Sequence, residues 1–461
     1  MEVHGPVATF GEVHFGDADL GDRRRNRRLV QVANAMVEQP AGTLPDKFDD
    51  PAGLKALYRL MASPSVTHAS VLEPARQHTL RCMAQAEGTV LVIHDWTELD
   101  YTGRHSLKDD LGQIGNGSRR GYLCVNALAV VAETREVIGL AYQKLAKRPR
   151  VPKGESRATR RGRLDRETRL WREASRHIPA PAPGRRQVEV ADRGADVLEY
   201  LDFMEAQGKS YLVRSKHNRR ILLENGEQAK LHDFARALPA AGERLVPVGA
   251  AGQRPAREAR VAIGWAKVTL LAPKQPRGET RRVPLTTWVI CVREIDPPPG
   301  VEPLEWILLT NVPVETLADA LARVGWYEAR WVVEEFHKAQ KTGCGVEDLQ
   351  FTAEERLQPA IALLSVVATH LLALRDASRR ADAATRPAAE LFPVSWLRIL
   401  SLWRWREVRP AMTVHEFFFA LARLGGHQNR KGDHPPGWLV LWRGWTKLQA
   451  MTEAASLLES G

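Results

Sequence analysis

Residues Thr89-Val90-Leu91-Val92-Ile93 are β-branched or apolar without interruption, and the run stops at His94-Asp95. A stretch this short and this apolar reads as a strand buried on both faces. Such a strand needs a layer of structure above it and another below it. Tyr122 to Val131 and Val137 to Tyr142 read as two more strands, joined by the charged turn Glu133–Glu136 into a hairpin. Residues 147–176 then carry twelve Lys or Arg against four Asp or Glu. The first half, with Pro149, Pro152 and Gly154, reads as a loop, and Leu164 to His177 as a helix. Val188-Glu189-Val190-Ala191 is the next strand, stopping at Asp192. A helix through Val197, Leu198, Leu201 and Phe203 and a strand at Tyr211–Arg214 follow. The spacing predicts a mixed sheet with helices on its faces.

The flanks have a different texture. Residues 1–75 read as helical, with an apolar stripe at Leu20, Leu29, Val30, Val32, Ala33, Met36 and Val37. Asp19 or Asp22 is placed to cap the helix bearing Arg23, Arg24, Arg25, Arg27 and Arg28. A second helix starts near Asp50-Pro51 and breaks at Ser63-Pro64-Ser65. Segments at Val261–Ile263, Val268–Leu271, Trp288–Ile290 and Trp306–Leu309 are strand-like, so 218–312 reads as a β-rich insertion. From Thr316 the chain is helical again, and 391–461 has tryptophans at helical spacings around a loop at Gly425–Gly437. The expected division is a helical module at 1–75, a core at 76–217 and 313–375 split by the insertion 218–312, and a helical C-terminal domain at 376–461.

The chain has 461 residues, 44% of them hydrophobic, enough for two or three cores. Its net charge of +11 favours a polyanionic partner, nucleic acid first and an acidic membrane surface second. Cys82, Cys124, Cys291 and Cys344 are far apart, which argues against a disulfide framework or a thiolate zinc site. No secretory signal, no membrane span, no phosphate-binding loop and no dinucleotide fingerprint is read, so a cytoplasmic protein is expected.

Asp95 and Asp192 follow apolar strands, and strand ends in α/β sheets are where sites assemble. Each alone reads equally as a turn or cap residue. The segment 327–341 adds a third carboxylate. At about 100° per residue, Tyr327, Arg330, Glu334 and Lys341 fall within an arc of roughly 60°. Arg330–Glu334 and Glu334–Lys338 are both i,i+4 pairs, so ion pairing alone accounts for that spacing. The chemistry suggests more. Mg²⁺ prefers carboxylate oxygens. Two such ions about 4 Å apart can bind the attacking and leaving oxygens of an in-line phosphodiester displacement. Arg330 and Lys341 would grip neighbouring phosphates, with Tyr327 hydrogen-bonding one. His337, three residues after Glu334, has no second copy to make a carboxylate–histidine metal pair.

These residues resemble the bacterial insertion-sequence transposases of the IS-four family. Asp95, Asp192 and Glu334 match its DDE triad, and Tyr327, Arg330, Glu334 and Lys341 its Y-R-E-K signature. WVVEEFHKAQKTGCG, YLVRSKH, PLEWILLTNVPV and ALARLGG also match, across a span from Leu20-Gly21-Asp22 to the C-terminal tryptophans. The resemblance implies an RNase H-like core with a five-stranded mixed sheet, helices on both faces and the β-rich insertion. It implies two Mg²⁺ ions, replaceable by Mn²⁺, on Asp95, Asp192 and Glu334. Its partners would be double-stranded DNA, both transposon end repeats and target, and a second copy of the chain in the synaptic complex. It implies cutting through a DNA hairpin, with a flipped base stacked on Trp306. Tyr327, Arg330, Lys338, Lys341, Arg214 and Lys216 would contact the DNA backbone, and Arg23, Arg24, Arg27 and Arg28 the end repeat. Gly194 stands where the family often has Glu, and the stretch after Gly345 is shorter than in a close relative. Two rival readings are a metal-dependent nuclease without strand transfer and an inactive DNA-binding inhibitor.

Overall fold

Short polar residues start the N-terminal helices. Thr9 and Glu12 form a capping box on α1 (Phe10–Phe15). The Asp22 carboxylate accepts from the Arg24 amide at 2.7 Å and starts α2 (Arg23–Glu38), while Asp50 caps α3 (Pro51–Met61), with Pro51 in its first turn. α4 (His68–Gln85) follows and runs through the expected boundary at residue 75. The structure, a computed structural model, describes residues 8–39, 43–48, 50–115, 117–148, 154–156, 159, 163, 166–249, 256–272, 284–428, 430 and 436–460. Pro149, Pro152 and Leu164, named above, and residues 429 and 431–435 of the Gly425–Gly437 loop lie outside the described residues.

The strands are β1 (Thr89–Asp100), β2 (Gly112–Gln113), β3 (Arg120–Val131), β4 (Val137–Ala146), β5 (Arg186–Ala191) and β6 (Ser210–Arg214). α5 (Arg169–Arg176) precedes β5, and α6 (Leu198–Ala206) links β5 to β6. β1, β5 and β6 are parallel neighbours, whereas β3 pairs antiparallel with β1 on one side and with β2 and β4 on the other.

Then come β7 (Arg220–Leu222), β8 (Gln228–Lys230), α7 (Leu231–Ala237), β9 (Gly242–Val248), β10 (Arg257–Leu270), β11 (Leu285–Glu294) and β12 (Glu305–Thr310). The five-stranded expectation is corrected here. β12 pairs antiparallel with β6, then β11 with β12 and β10 with β11, so the insertion continues the same sheet to twelve strands. An open β6 edge would leave a row of unpaired amides and carbonyls, and β12 covers it. Val261–Ile263 and Val268–Leu271, read as separate strands, are mostly one strand, β10.

The last helices are α8 (Leu317–Ala329), α9 (Trp331–Lys338), α10 (Glu354–Ala377), α11 (Val394–Trp405), α12 (Val414–Leu424) and α13 (Trp438–Ser460). Both faces of the central sheet are covered. Leu91 and Ile93 pack in one core with Val333, Phe336 and Leu364, and Val90 and Val92 pack on the other side with Ala174 of α5. α10 is long and apolar enough to cross a membrane, contrary to the sequence expectation, but most of it is buried inside the protein. A helix that is apolar all round is a core helix when protein surrounds it.

α12 and α13 touch backbone to backbone. A Cβ added to Gly444 would lie 1.9 Å from the Leu421 carbonyl oxygen, and one added to Gly425 2.0 Å from that of Val440. Helix propensity favours alanine over glycine by about 1 kcal/mol. Packing reverses that sign here. Gly444→Ala is expected to destabilise the C-terminal helices by about 1–3 kcal/mol, read as earlier thermal unfolding or faster proteolysis of that region. A stabilised variant would contradict this contact.

Candidate active site

The parallel ladder between β1 and β5 runs from Thr89↔Arg186 to His94↔Ala191. The next positions in that register are Asp95 and Asp192. Asp95 alternates in step with Leu91 and Ile93, and Asp192 with Val188 and Val190, and those four residues face one core. Both carboxylates are therefore set toward the same side of the sheet, one strand spacing apart, about 5 Å. Asp95 is not at the end of its strand, as the sequence suggested. β1 continues to Asp100 because β3 pairs with it throughout, and what ends beside Asp95 is the parallel ladder. Beyond it Asp192 enters a short 3₁₀ turn, and its Oδ1 accepts from the Gly194 amide at 2.7 Å. Oδ1 of Asp95 accepts from the Trp96 amide at 2.8 Å.

The third carboxylate arrives from the helical layer. A capping box of Thr316 and Asp319 starts α8. The helical run is interrupted at Arg330, resumes as α9 and widens into a π-helical segment, Ala339–Gly343. π-segments in α-helices often mark functional sites. From the interruption, Arg330 Nη1 lies 3.0 Å from Asp95 Oδ2 and 3.6 Å from Glu334 Oε1. The guanidinium carbon also sits 5.0 Å from the Trp331 ring centre and 6.0 Å from that of Tyr327. One cation thus ties a strand-borne carboxylate to a helix-borne one.

Charge balance inside the site is tight. The Asp95 carboxyl is pushed up to about 7, first by burial and then by Asp192 and Glu334, while Arg330 pulls it down. Burial pulls Arg330 down, yet Tyr327, Asp95, Glu334 and Asp192 together raise it. Among the described residues, no three His, Cys, Asp or Glu side chains converge into a ready-made metal site. The donor set still fits a hard divalent cation. It offers carboxylate oxygens, one of them held toward its neutral form by burial and by two like neighbours, a penalty that a bound cation would offset.

A pH dependence follows. Folded Asp95 keeps its proton to about pH 7, whereas its ordinary value is 3.8. Between those values the folded protein binds more protons than the unfolded one, so metal-free stability falls as pH rises and then levels off. A cation must displace that proton. The rise in Tm caused by Mn²⁺ is therefore expected to be small at pH 5 and large at pH 8. Equal rises at both would separate Asp95 from cation binding.

The remaining sequence-selected residues divide into free and engaged. Lys338 and Lys216 are exposed, as are Arg23, Arg24, Arg27 and Arg28 on the face of α2 opposite Leu29, Val32 and Met36. Arg25 is instead tied to the Leu20 carbonyl oxygen at 2.9 Å and to Ser65 at 3.0 Å. Lys341 is carried by the π-segment away from the arc expected of a regular helix. It donates to the Glu98 carbonyl oxygen and lies 3.3 Å from Glu347. Tyr327 is buried, with its ring centre 5.1 Å from that of Trp306 in an edge-on contact. Trp306 itself is only 5% exposed, so a base can stack on it only if its face is uncovered. Arg214 donates to the Glu305 carbonyl oxygen at 2.7 Å. His337 is buried and bonded to Asn126, which removes it from the cation site.

Two site residues, Trp331 and Asp196, escaped the sequence reading, and the packing around Gly194 was not legible in it. Trp331 is 55% exposed beside Arg330 and lines a cleft of about 1000 Å³ with Glu334, Lys338, Arg193, Arg214 and Trp306. The sequence gives no signal for it, because an aromatic in a helix is usually core. Asp196 is buried and accepts from the Lys216 and His217 amides at 2.6 and 2.9 Å and from Arg219 at 2.5 Å, which shapes the loop carrying Lys216. Gly194 is tightly enclosed, since a Cβ there would lie 3.0 Å from both Trp171 and the Asp192 carboxylate. The tryptophan occupies the space a longer side chain would need.

Two known families match the chain. A family described as "Transposase DNA-binding" matches residues 8–66, the α1–α3 segment with the exposed arginines. A family described as "Transposase DDE domain" matches residues 87–369, which hold all three carboxylates. With the larger match spanning more than half of its length, the chain belongs to the DDE transposase family.

Proposed function

We propose that this chain is a cut-and-paste transposase of the IS-four type, and that Asp95, Asp192 and Glu334 hold the divalent cations of an RNase H-like core. The observation that carries the reading is the shared register position of Asp95 and Asp192 beneath the helix that brings Glu334, with Arg330 bridging the strand and the helix. Two bound Mg²⁺ or Mn²⁺ ions would polarise the scissile phosphate and activate a water or a 3′-OH as nucleophile.

The chain's own groups do the rest. Arg330 opposes the burial that raises Asp95 and stands between it and Glu334. The exposed Trp331 offers a ring on which an unstacked base is held near the carboxylates, at about 1–3 kcal/mol per base. Tyr327 and Trp306 form the wall behind it. Arg193, Arg214 and Lys338 give the cleft the positive charge that positions a phosphate backbone, and Lys216 adds an exposed charge on the loop after β6. Arg23, Arg24, Arg27 and Arg28 bind the end repeat from the N-terminal module. The route through a DNA hairpin belongs to the same reading, because one cluster serves water and 3′-OH attacks alike. Pairing of two ends needs a second copy, and Leu457 and Leu458, at 74% and 84% exposed on α13, supply apolar surface for it.

A labelled end duplex incubated with the protein and Mg²⁺ tests the whole reading on one gel. Hairpin and strand-joined products are expected. Nicks that never join would replace it with a nuclease, and binding without cutting would replace it with a DNA-binding inhibitor.

A further inference from the structure

A chain of buried amides and imidazoles runs behind the carboxylates, and the proposed chemistry does not use it. Gln143 and Asn126 lie on β4 and β3, Ser365 on α10, His337 on α9 and Gln340 in the π-segment, and each is 7% exposed or less. Gln143 Nε2 donates to Asn126 Oδ1 at 2.8 Å and to Ser365 Oγ at 3.0 Å, which leaves Gln143 Oε1 to accept from His68 Nε2 at 3.0 Å. With its oxygen used as an acceptor, Asn126 donates through Nδ2, to the Cys124 carbonyl oxygen at 3.3 Å and to His337 Nε2 at 3.2 Å. His337 Nε2 is therefore the acceptor, in a neutral ring protonated on Nδ1. Its burial, with Lys341 and Arg330 nearby, favours that neutral form. Gln340 Nε2 donates to Ser365 Oγ at 2.7 Å, and Ser365 donates to the Ile361 carbonyl oxygen at 2.6 Å.

The direction of each of these bonds is fixed by its neighbours, so the network has one arrangement. Its position matters more than its length. Asn126 stands directly opposite Asp95 in the β1–β3 ladder and so shares its face. His337 is one turn past Glu334, and Gln340 lies where the α-helix has become a π-segment. The same network thus grips the catalytic helix at two points and the strand neighbouring Asp95 at one.

We infer that Asn126 is a positioning residue: by holding His337 it sets the depth and rotation of the Glu334 helix over the Asp95 strand. The inference rests on the three-carboxylate reading above. Partners outside a ligand shell that orient its members typically change metal affinity 10–100-fold when removed.

The test uses the full chain with Mn²⁺ as the probe and two readouts. One is hydrogen exchange of the amides in 331–343 without metal. The other is direct Mn²⁺ binding by electron paramagnetic resonance on the complex with end DNA. Asn126→Leu and His337→Leu are expected to speed exchange there at least about tenfold and to weaken Mn²⁺ binding by about tenfold. His337→Gln, whose amide oxygen can accept from Asn126, is expected to restore both to within about threefold. Unchanged exchange and Mn²⁺ binding in Asn126→Leu would overturn the inference. So would a His337→Gln variant as impaired as His337→Leu, because ring packing would then be the cause. If Asn126→Leu does not fold, the His337 pair decides alone. If the unaltered protein binds no Mn²⁺, the three-carboxylate reading fails, while the exchange rates still decide whether Asn126 holds the helix.

Discussion

Glu334→Gln is expected to remove cutting and joining of end DNA by about a thousandfold or more, while end binding stays within about threefold. The substitution keeps size and shape and removes one charge. Glu334 is about two-fifths exposed, so little of the fold depends on it. It is also one of three carboxylates crowding one site, and burial with these neighbours has already pushed Asp95 up to about 7. Removing a negative charge relieves that crowding, so the Tm of the metal-free protein should not fall. The combination of lost chemistry, kept binding and kept stability is the signature of a ligand rather than of a structural ion pair. Single-turnover gels, band shifts and a thermal scan read the three parts. A variant that cuts at the unaltered rate would return Glu334 to an ordinary partner of Arg330.

Arg330→Ala carries the second large effect, with a sign that follows from the same charges. The guanidinium lies 3.0 Å from Asp95, and an opposite charge at such range usually lowers a carboxyl by one to three units. Without it, burial, Asp192 and Glu334 act on Asp95 unopposed, and its titration moves upward from about 7. At neutral pH the variant should therefore cut on the order of a hundredfold more slowly, and raising the pH should recover part of the loss. Arg330→Lys keeps a charge but not the forked reach to two carboxylates, so it should fall between. Rate–pH profiles with Mn²⁺ check this. A profile that falls uniformly, without shifting to higher pH, would assign Arg330 to DNA contact alone.

Much of the fold was legible because its strands and caps depend on local pattern. Val188–Ala191 could be read as a strand, Asp22 proved to be the cap of the two candidates, Asp19 and Asp22, and Asp50 caps the helix that starts at Pro51. The extent of β1 was not legible. Its last residues, Trp96 to Asp100, are held by β3, a long-range pairing that no local pattern encodes. Nor was the joining of the insertion to the main sheet, which depends on β12 finding the open β6 edge. In the site, the three carboxylates and Arg330 were accessible through spacing and resemblance. The helical arc assumed an unbroken α-helix. The interruption at Arg330 and the π-segment change which side chains can meet, so Lys341 reaches Glu98 and Glu347 rather than the cleft. Trp331 was hidden by its type, and Asn126 by a uniformly apolar strand, LCVNALAVV, in which one amide looks incidental.

The central claim is that Asp95, Asp192 and Glu334 form one cation site. Counting Mn²⁺ bound to the complex with end DNA, by electron paramagnetic resonance titration, tests it most directly. The unaltered protein should bind two ions per assembled site, and Asp192→Asn should lose at least one of them while still binding DNA. An Asp192→Asn complex that binds Mn²⁺ with the unaltered number and affinity would contradict it.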